Sequence, residues 1–265
     1  MRLSDDEVTA YQRDGYLVRH AVFAAAELEA LRDTVEEVVA RIVARARRAE
    51  SQALLRLPDG RRIQFSSHTA IQWEWREEEP AVRLLEPFTH LDPRFASLWE
   101  DPRFTDPARA MLGVAQVAPF TCKLNLKRPR EGSEFPWHQD YPYWYVRTPA
   151  QAHEVVTGIL FLDDALAANG GLRVLPGSHH AGPAPRDRQE PTGFLADPQR
   201  LDASREVLVE AAAGALLFLP ALLLHRSTPN TSDRQRRAIL LSFQPAGRPP
   251  QVDLPWMPER VAELP

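Results

Sequence analysis

A chain of 265 residues, 44% hydrophobic and 26% charged, has the make-up of one folded domain of sandwich or barrel size, with no indication of disorder over most of its length. Its formal net charge of -4 and pI near 6.1 leave no overall basic field to attract a phosphate backbone, so nucleic acid is not an expected partner. The opening MRLSDDEVTAYQRDGY has no apolar signal-like core, no stretch reaches the roughly 18–20 apolar residues that span a bilayer, and the single cysteine, Cys122, cannot form an intrachain disulfide, so a soluble cytoplasmic protein is expected.

In chain order, Ser4 with acids after it predicts a helix over 4–14, closed by Gly15 before the short apolar run 16–18. Leu28, Leu31, Val35, Val38, Val39, Ile42 and Val43 recur at three and four, which predicts a long amphipathic helix over 24–48 packed outside the core. Residues 60–75 turn to strand and loop, ending in the aromatic pair Trp73 and Trp75. Asp92-Pro93 and Asp101-Pro102 each read as an N-cap followed by proline, giving short helices near 93–100 and 102–112.

From Val114 the pattern changes to short apolar runs bounded by Gly, Pro, Asn or Asp, at 114–127, 134–138, 155–162, 172–175, 206–210, 215–219, 222–226 and 236–243. Such a set of strands predicts a mainly β fold with α additions, a sandwich or jelly roll. The single domain, 1–265, divides into a mostly helical part over 1–113, a jelly-roll core over 114–245 and a tail over 246–265. The aperiodic segment 181–204, rich in Pro, Asp and Arg, reads as a long loop of the kind that forms lids. Of 32 basic residues only Lys123 and Lys127 are lysine; that they fall within five positions suggests a place where guanidinium will not serve.

The chemistry is concentrated in FPWHQDYPYWY. His138 and Asp140 lie two apart in a predicted strand, so both side chains project from one face. Iron(II) oxygenases need two imidazoles and one carboxylate on one side of the ion, leaving positions open for cosubstrate and O2. A second His-x-Asp, His90-Leu91-Asp92, is set aside because Asp92 is better used as a helix cap. His225, ending the run LLFLPALLLH, supplies the missing imidazole unless it is a structural histidine. Arg236 opens the next apolar strand, where an arginine implies a buried carboxylate partner; a 2-oxoglutarate site needs such a cation for its distal carboxylate. By alternation Arg237 points outward.

These residues give a specific resemblance. The helix, then DGYLV, then a second helix, followed by KLNLKRPREGSEFPWHQD, NGGLRVLPGSHHAG and HRSTPNTSDRQRRA in that order, resemble the phytanoyl-CoA dioxygenase family of iron(II)/2-oxoglutarate oxygenases across nearly the whole chain. The resemblance implies a double-stranded β-helix (cupin-like jelly roll) and a hydroxylase that uses Fe(II), 2-oxoglutarate and O2. It maps His138, Asp140 and His225 to the metal, Arg236 to the distal carboxylate and Ser227 to a hydroxyl beside it. It also places Asn125, thirteen residues before His138, on 2-oxoglutarate, with Lys123 on the same strand face. Ala215 departs from the aspartate the family usually carries there, and is not a ligand. Asp140 favours hydroxylation over halogenation, because related halogenases have a small residue at that position.

Trp73, Trp75, Tyr141, Tyr143 and Trp144 are candidates for an aromatic mouth with few polar groups, and Arg147 for an anion contact, suiting a small organic substrate. Two other readings are a metal-dependent jelly-roll enzyme without 2-oxoglutarate, which needs no Arg236 or Ser227, and a non-catalytic jelly-roll binding module, which need not keep all three ligands.

Overall fold

The computed structural model describes residues 2–48, 55–56, 60, 62–66, 68–74, 81–190 and 192–253. Helix α1 (Asp5–Asp14) begins as its sequence dictates: the Ser4 hydroxyl accepts from the Glu7 amide, the Glu7 carboxylate accepts from the Ser4 amide, and Gly15 ends the helix at φ 78°. After the short strand β1 (Leu17–Arg19), helix α2 (Ala25–Arg48) buries Leu28, Leu31, Val35, Val38, Val39 and Ile42 along one stripe. Full burial of such side chains contributes about 1.5–3 kcal/mol each, which fixes α2 against the sheet. Helices α3 (Pro93–Ala96) and α4 (Pro102–Leu112) start at Asp92 and Asp101, whose carboxylates cap Arg94 and Arg103 amides.

Two antiparallel sheets face each other. The larger runs β1-β11-β8-β13-β6-β5-β4-β3-β2, adding β2 (Leu55–Arg56), β3 (Arg62–Ser66), β4 (Thr69–Trp73), β5 (Val82–Glu86), β6 (Val117–Lys127), β8 (Val156–Phe161), β11 (Leu216–Pro220) and β13 (Arg236–Pro245). The smaller runs β10-β9-β12-β7, with β7 (Phe135–His138), β9 (Leu172–Val174), β10 (Val207–Val209) and β12 (His225–Ser227). The first 113 residues, expected to be mostly helical, also contribute β1 to β5 to the large sheet. β1 pairs with β11 and β5 with β6, extending the large sheet at both ends so that its central edges are covered.

Alternation sorts each central strand between two environments. On β6, Cys122, Leu124 and Leu126 pack beneath the helices, while Lys123, Asn125 and Lys127 take the opposite face. On β13, Ile239 and Leu241 share the helical side, and Ala238 and Leu240 face the space between the sheets. On β11 and just before it, Leu217 and the buried Ala215 take the inner side. The inner space is apolar at its closed end and opens between β6, β7 and β12 into a cavity of about 270 Å³.

Candidate metal centre and cosubstrate pocket

Cross-strand pairing brings the two imidazoles together: His225 on β12 sits directly opposite His138 on β7, with ring centroids 4.2 Å apart. Asp140 completes the group, the ligand atoms of all three lying within 4.8 Å of one another. Contrary to what the spacing predicts, Asp140 does not lie in the strand, because β7 stops at His138. Asp140 adopts αR (φ -71°, ψ -24°) and precedes the short helix α5 (Tyr141–Tyr145), so the turn, not the pleat, directs its carboxylate inward.

The imidazoles are oriented from behind. His138 Nδ1 donates to the Pro136 carbonyl at 2.7 Å, and His225 Nδ1 donates to the Leu223 carbonyl at 2.9 Å. A carbonyl can only accept, so each proton lies on Nδ1 and each Nε2 lone pair is left for a metal. Burial, with His225 beside it, lowers the His138 pKa to about 3, keeping the ring neutral. Burial works against the Asp140 carboxylate, but Lys123 Nζ, 3.7 Å away, and the two histidines hold its pKa below the usual value.

On the facing sheet, at the start of β13, lies Arg236, 3% exposed and lining the same cavity. Its Nε has no hydrogen-bond partner and the guanidinium makes no ion pair among the described residues. Burial brings its pKa down to about 10, still protonated at neutral pH. Ser227 and Asn125 line the cavity with it, and the Asn125 Oδ1 is also buried without a partner. An isolated buried cation costs several kcal/mol unless something pairs with it. A dicarboxylate chelating a metal at the histidines and reaching Arg236 supplies that partner, so the residues present fit iron(II) and 2-oxoglutarate.

Arg237 does not point to solvent. It is 6% exposed on the helical side, donating to Asp163 from Nε (2.9 Å) and Nη2 (2.8 Å) and to Glu36 of α2 at 3.0 Å. The two lysines also differ from expectation. Lys123 stands at the metal end, beside Asp140 and 5.7 Å from the Tyr143 ring centre, rather than with Asn125 at the Arg236 end. Lys127, paired directly across from Arg236, donates from Nζ to the carbonyls of Ser133 (2.6 Å) and Thr228 (2.7 Å). Burial, then Arg236 and Arg83, push its pKa down to about 6. Two acceptors match the two N–H bonds of a neutral amine, a state arginine does not reach. Gly170 (φ 82°) leaves room for that stem, since a Cβ there would come within 2.7 Å of Lys127 Cδ.

Of the aromatic candidates among the described residues, only Tyr143 lines the cavity, its ring 6.1 Å from His138 and stacked on Phe194 at 4.5 Å. Trp73 is 5% exposed in the main core, and Trp144 is 1% exposed with its ring edge-on to Phe120. Tyr141 packs on Tyr145, Arg147 Nη1 donates to the Gln251 carbonyl, and Trp75 lies outside the described residues. The open end is more polar than predicted: Gln72, Glu86, Lys123 and Glu190 line it with Leu195. Glu190 is committed to its own loop, accepting from Thr192 and from the Phe194 amide. Arg83, at the Arg236 end with Phe135, was invisible in the sequence because β5 reads as an ordinary core strand.

Comparison with known proteins agrees with this geometry. A family model described as phytanoyl-CoA dioxygenase matches residues 11–238. The ectoine dioxygenase of Bordetella parapertussis is 29% identical over 284 residues, covering 98% of this chain and 82% of its own. L-proline trans-4-hydroxylase of Streptomyces griseoviridis is 30% identical over 187 residues, covering 63% of this chain and 69% of its own. Among solved structures, EctD from S. alaskensis with 2-oxoglutarate and 5-hydroxyectoine has a TM-score of 0.70 at 23% identity, covering 92% of this chain and 76% of that one. That likeness carries the jelly-roll fold. No helix among the described residues is long and apolar enough to cross a membrane. This chain belongs to the phytanoyl-CoA dioxygenase family and is an iron(II)- and 2-oxoglutarate-dependent dioxygenase.

Proposed function

We propose that His138, Asp140 and His225 hold the iron(II), that Arg236 binds the distal carboxylate of 2-oxoglutarate with Ser227 and Asn125 beside it, and that a small polar substrate enters past Lys123 and Tyr143. The observation that carries this reading is one cavity in which two histidines and an aspartate converge and which a buried arginine also lines, its Nε without a hydrogen-bond partner among the described residues. Iron(II) with 2-oxoglutarate supplies the oxidation: O2 converts the keto acid to succinate and CO2, and one oxygen atom enters a substrate C–H bond.

The chain's own residues bind and orient. The Pro136 and Leu223 carbonyls fix both ligand rings; Lys123 stands by one Asp140 oxygen and biases the carboxylate toward offering the other. Arg236 offers a fork matched to a carboxylate. Tyr143 stacked on Phe194 roofs the metal side and restricts water there.

The substrate class follows from the open end. Lys123 and Glu86 provide one cation and one anion beside an aromatic face in a limited volume. This favours a compact molecule bearing both an anionic and a cationic group, consistent with relatives named for ectoine and L-proline. Trp73, Trp144, Tyr141 and Arg147 have no part in that chamber. Anaerobic titration of the apo-protein with iron(II) and 2-oxoglutarate tests the cofactor reading: a weak visible charge-transfer band is expected, absent in His225→Ala. Bound iron with no band in the native protein would overturn it. Succinate release across amino acids and other small zwitterions, set against neutral analogues, tests the substrate class.

A further inference from the structure

Gln139 lies between two of the ligands yet does not line the cavity, and it is 2% exposed. Its carboxamide joins three segments. Nε2 donates to the Leu222 carbonyl at 2.6 Å and to the Gly182 carbonyl at 3.0 Å, while Oε1 accepts from the Ala184 amide at 2.8 Å. Leu222 is three residues before His225, at the turn that delivers the second imidazole to the site. Gly182 and Ala184 are the root of the long loop whose far end returns to the His138 strand: Leu195 bridges to His138, the Ala196 amide donates to the Trp137 carbonyl at 2.9 Å, and Phe194 stacks on Tyr143.

The loop is thus held at both ends by the ligand-bearing turn, at its tip by backbone bonds and at its root by one side chain. Only a carboxamide can donate twice and accept once at this position: glutamate cannot donate when ionised, and methionine does neither. A second tie runs in parallel, the Ser178 hydroxyl accepting from the Leu224 amide at 2.9 Å, but it does not reach the His138–Asp140 turn.

We infer that Gln139 is a positioning residue that sets the spacing of the two ligand-bearing segments and couples that spacing to the seating of the 182–196 loop. The inference rests on the iron reading of the site. Loosening this side chain lets the loop root and the His225 segment move independently, so metal affinity and loop closure fall together.

The test uses the full chain and Gln139→Met, which keeps length and volume but none of the bonds. Two measurements are made: trypsin cleavage at the exposed Arg188 in the apo-protein, and the iron(II) dissociation constant, with melting temperature recorded as a check on folding. Cleavage is expected to accelerate at least about tenfold and iron affinity to fall by about 10–100-fold, the usual scale for a residue behind the ligands. Iron affinity within twofold of native overturns the inference, whether or not cleavage changes, because Gln139 would then hold the loop alone or nothing. Should the variant not fold, hydrogen exchange at the Ala184 amide in the native protein decides: protection supports the tie, and a free-chain rate overturns it. A native protein that binds iron but gives no 2-oxoglutarate band, with Gln139→Met still weakening iron and exposing Arg188, would defeat the cofactor reading while supporting this one.

Discussion

Arg236 and Arg237 are neighbours on β13, both nearly inaccessible, and they do opposite things. Arg237 faces the helices and its charge is neutralised by Asp163 and Glu36. Arg236 faces the cavity, with no ion pair among the described residues and its Nε without a hydrogen-bond partner. Folding thus pairs the arginine on one side of the strand from within the chain and leaves the Nε on the other side without a hydrogen bond among the described residues, as the proposed 2-oxoglutarate site requires. The difference teaches that unspent hydrogen-bonding capacity, more than burial or charge, marks the binding face.

The largest effect that would break this contrast is at the metal. His225→Ala removes one of the three side chains proposed to hold the iron, and no measurable turnover and no charge-transfer band are expected; retained activity would mean that the cavity face is not the reaction centre. Arg236→Leu comes next. Losing the charged partner of a buried carboxylate costs about 3 kcal/mol, on the order of a hundredfold in the KM for 2-oxoglutarate, while the melting temperature of the apo-protein holds or rises because an unpaired buried cation has been removed.

Arg237→Leu sharpens the comparison from the other side. It leaves Asp163 with Arg32, 3.4 Å away, as its ion-pair partner among the described residues, so stability should fall by about 2 kcal/mol in denaturant titration with the KM for 2-oxoglutarate unchanged. The last effect, spread over several pH units and small within any one of them, concerns Lys127, which pairs across from Arg236. Its folded pKa is near 6 against an ordinary 10.5, so between those values the unfolded chain holds a proton that the folded chain lacks. Stability from this group therefore rises with pH through that window, by at most about 1.4 kcal/mol per unit, and falls as pH drops toward 6. Lys127→Met should flatten the slope measured by chemical denaturation between pH 6.5 and 9. An unchanged slope would show that Lys127 is charged in the folded protein.

How far the sequence revealed these features depended on how local their causes are. Capping at Ser4, Asp92 and Asp101, the stripe on α2 and the strand runs after residue 114 are encoded within a few positions, and the elements form there. His138, Asp140, His225 and Arg236 were recognisable as a set, and the structure brings them to one cavity. The turn at Asp140 was hidden, because His-x-Asp reads as a strand unless the helix that starts at Tyr141 is noticed. Arg237 was misread since alternation gives its side but not its partner, Glu36, 201 residues away. Aromatics misled for a related reason: Trp73 and Trp144 fill cores, and side-chain type alone does not separate a core wall from a pocket wall. Glu86, Arg83 and Gln139 gave no signal, since each acts only through contacts distant in sequence. The lysine pair did carry information, though at Lys127 it concerns the capacity to lose a charge rather than to carry one.

The most direct test of the contrast between the two faces of β13 is anaerobic titration of 2-oxoglutarate into iron-loaded native, Arg236→Leu and Arg237→Leu proteins, followed through the charge-transfer band. The account predicts that Arg236→Leu weakens 2-oxoglutarate binding on the order of a hundredfold while Arg237→Leu binds it as native does. Equal binding by both variants would contradict the assignment of the unpaired arginine to the cosubstrate.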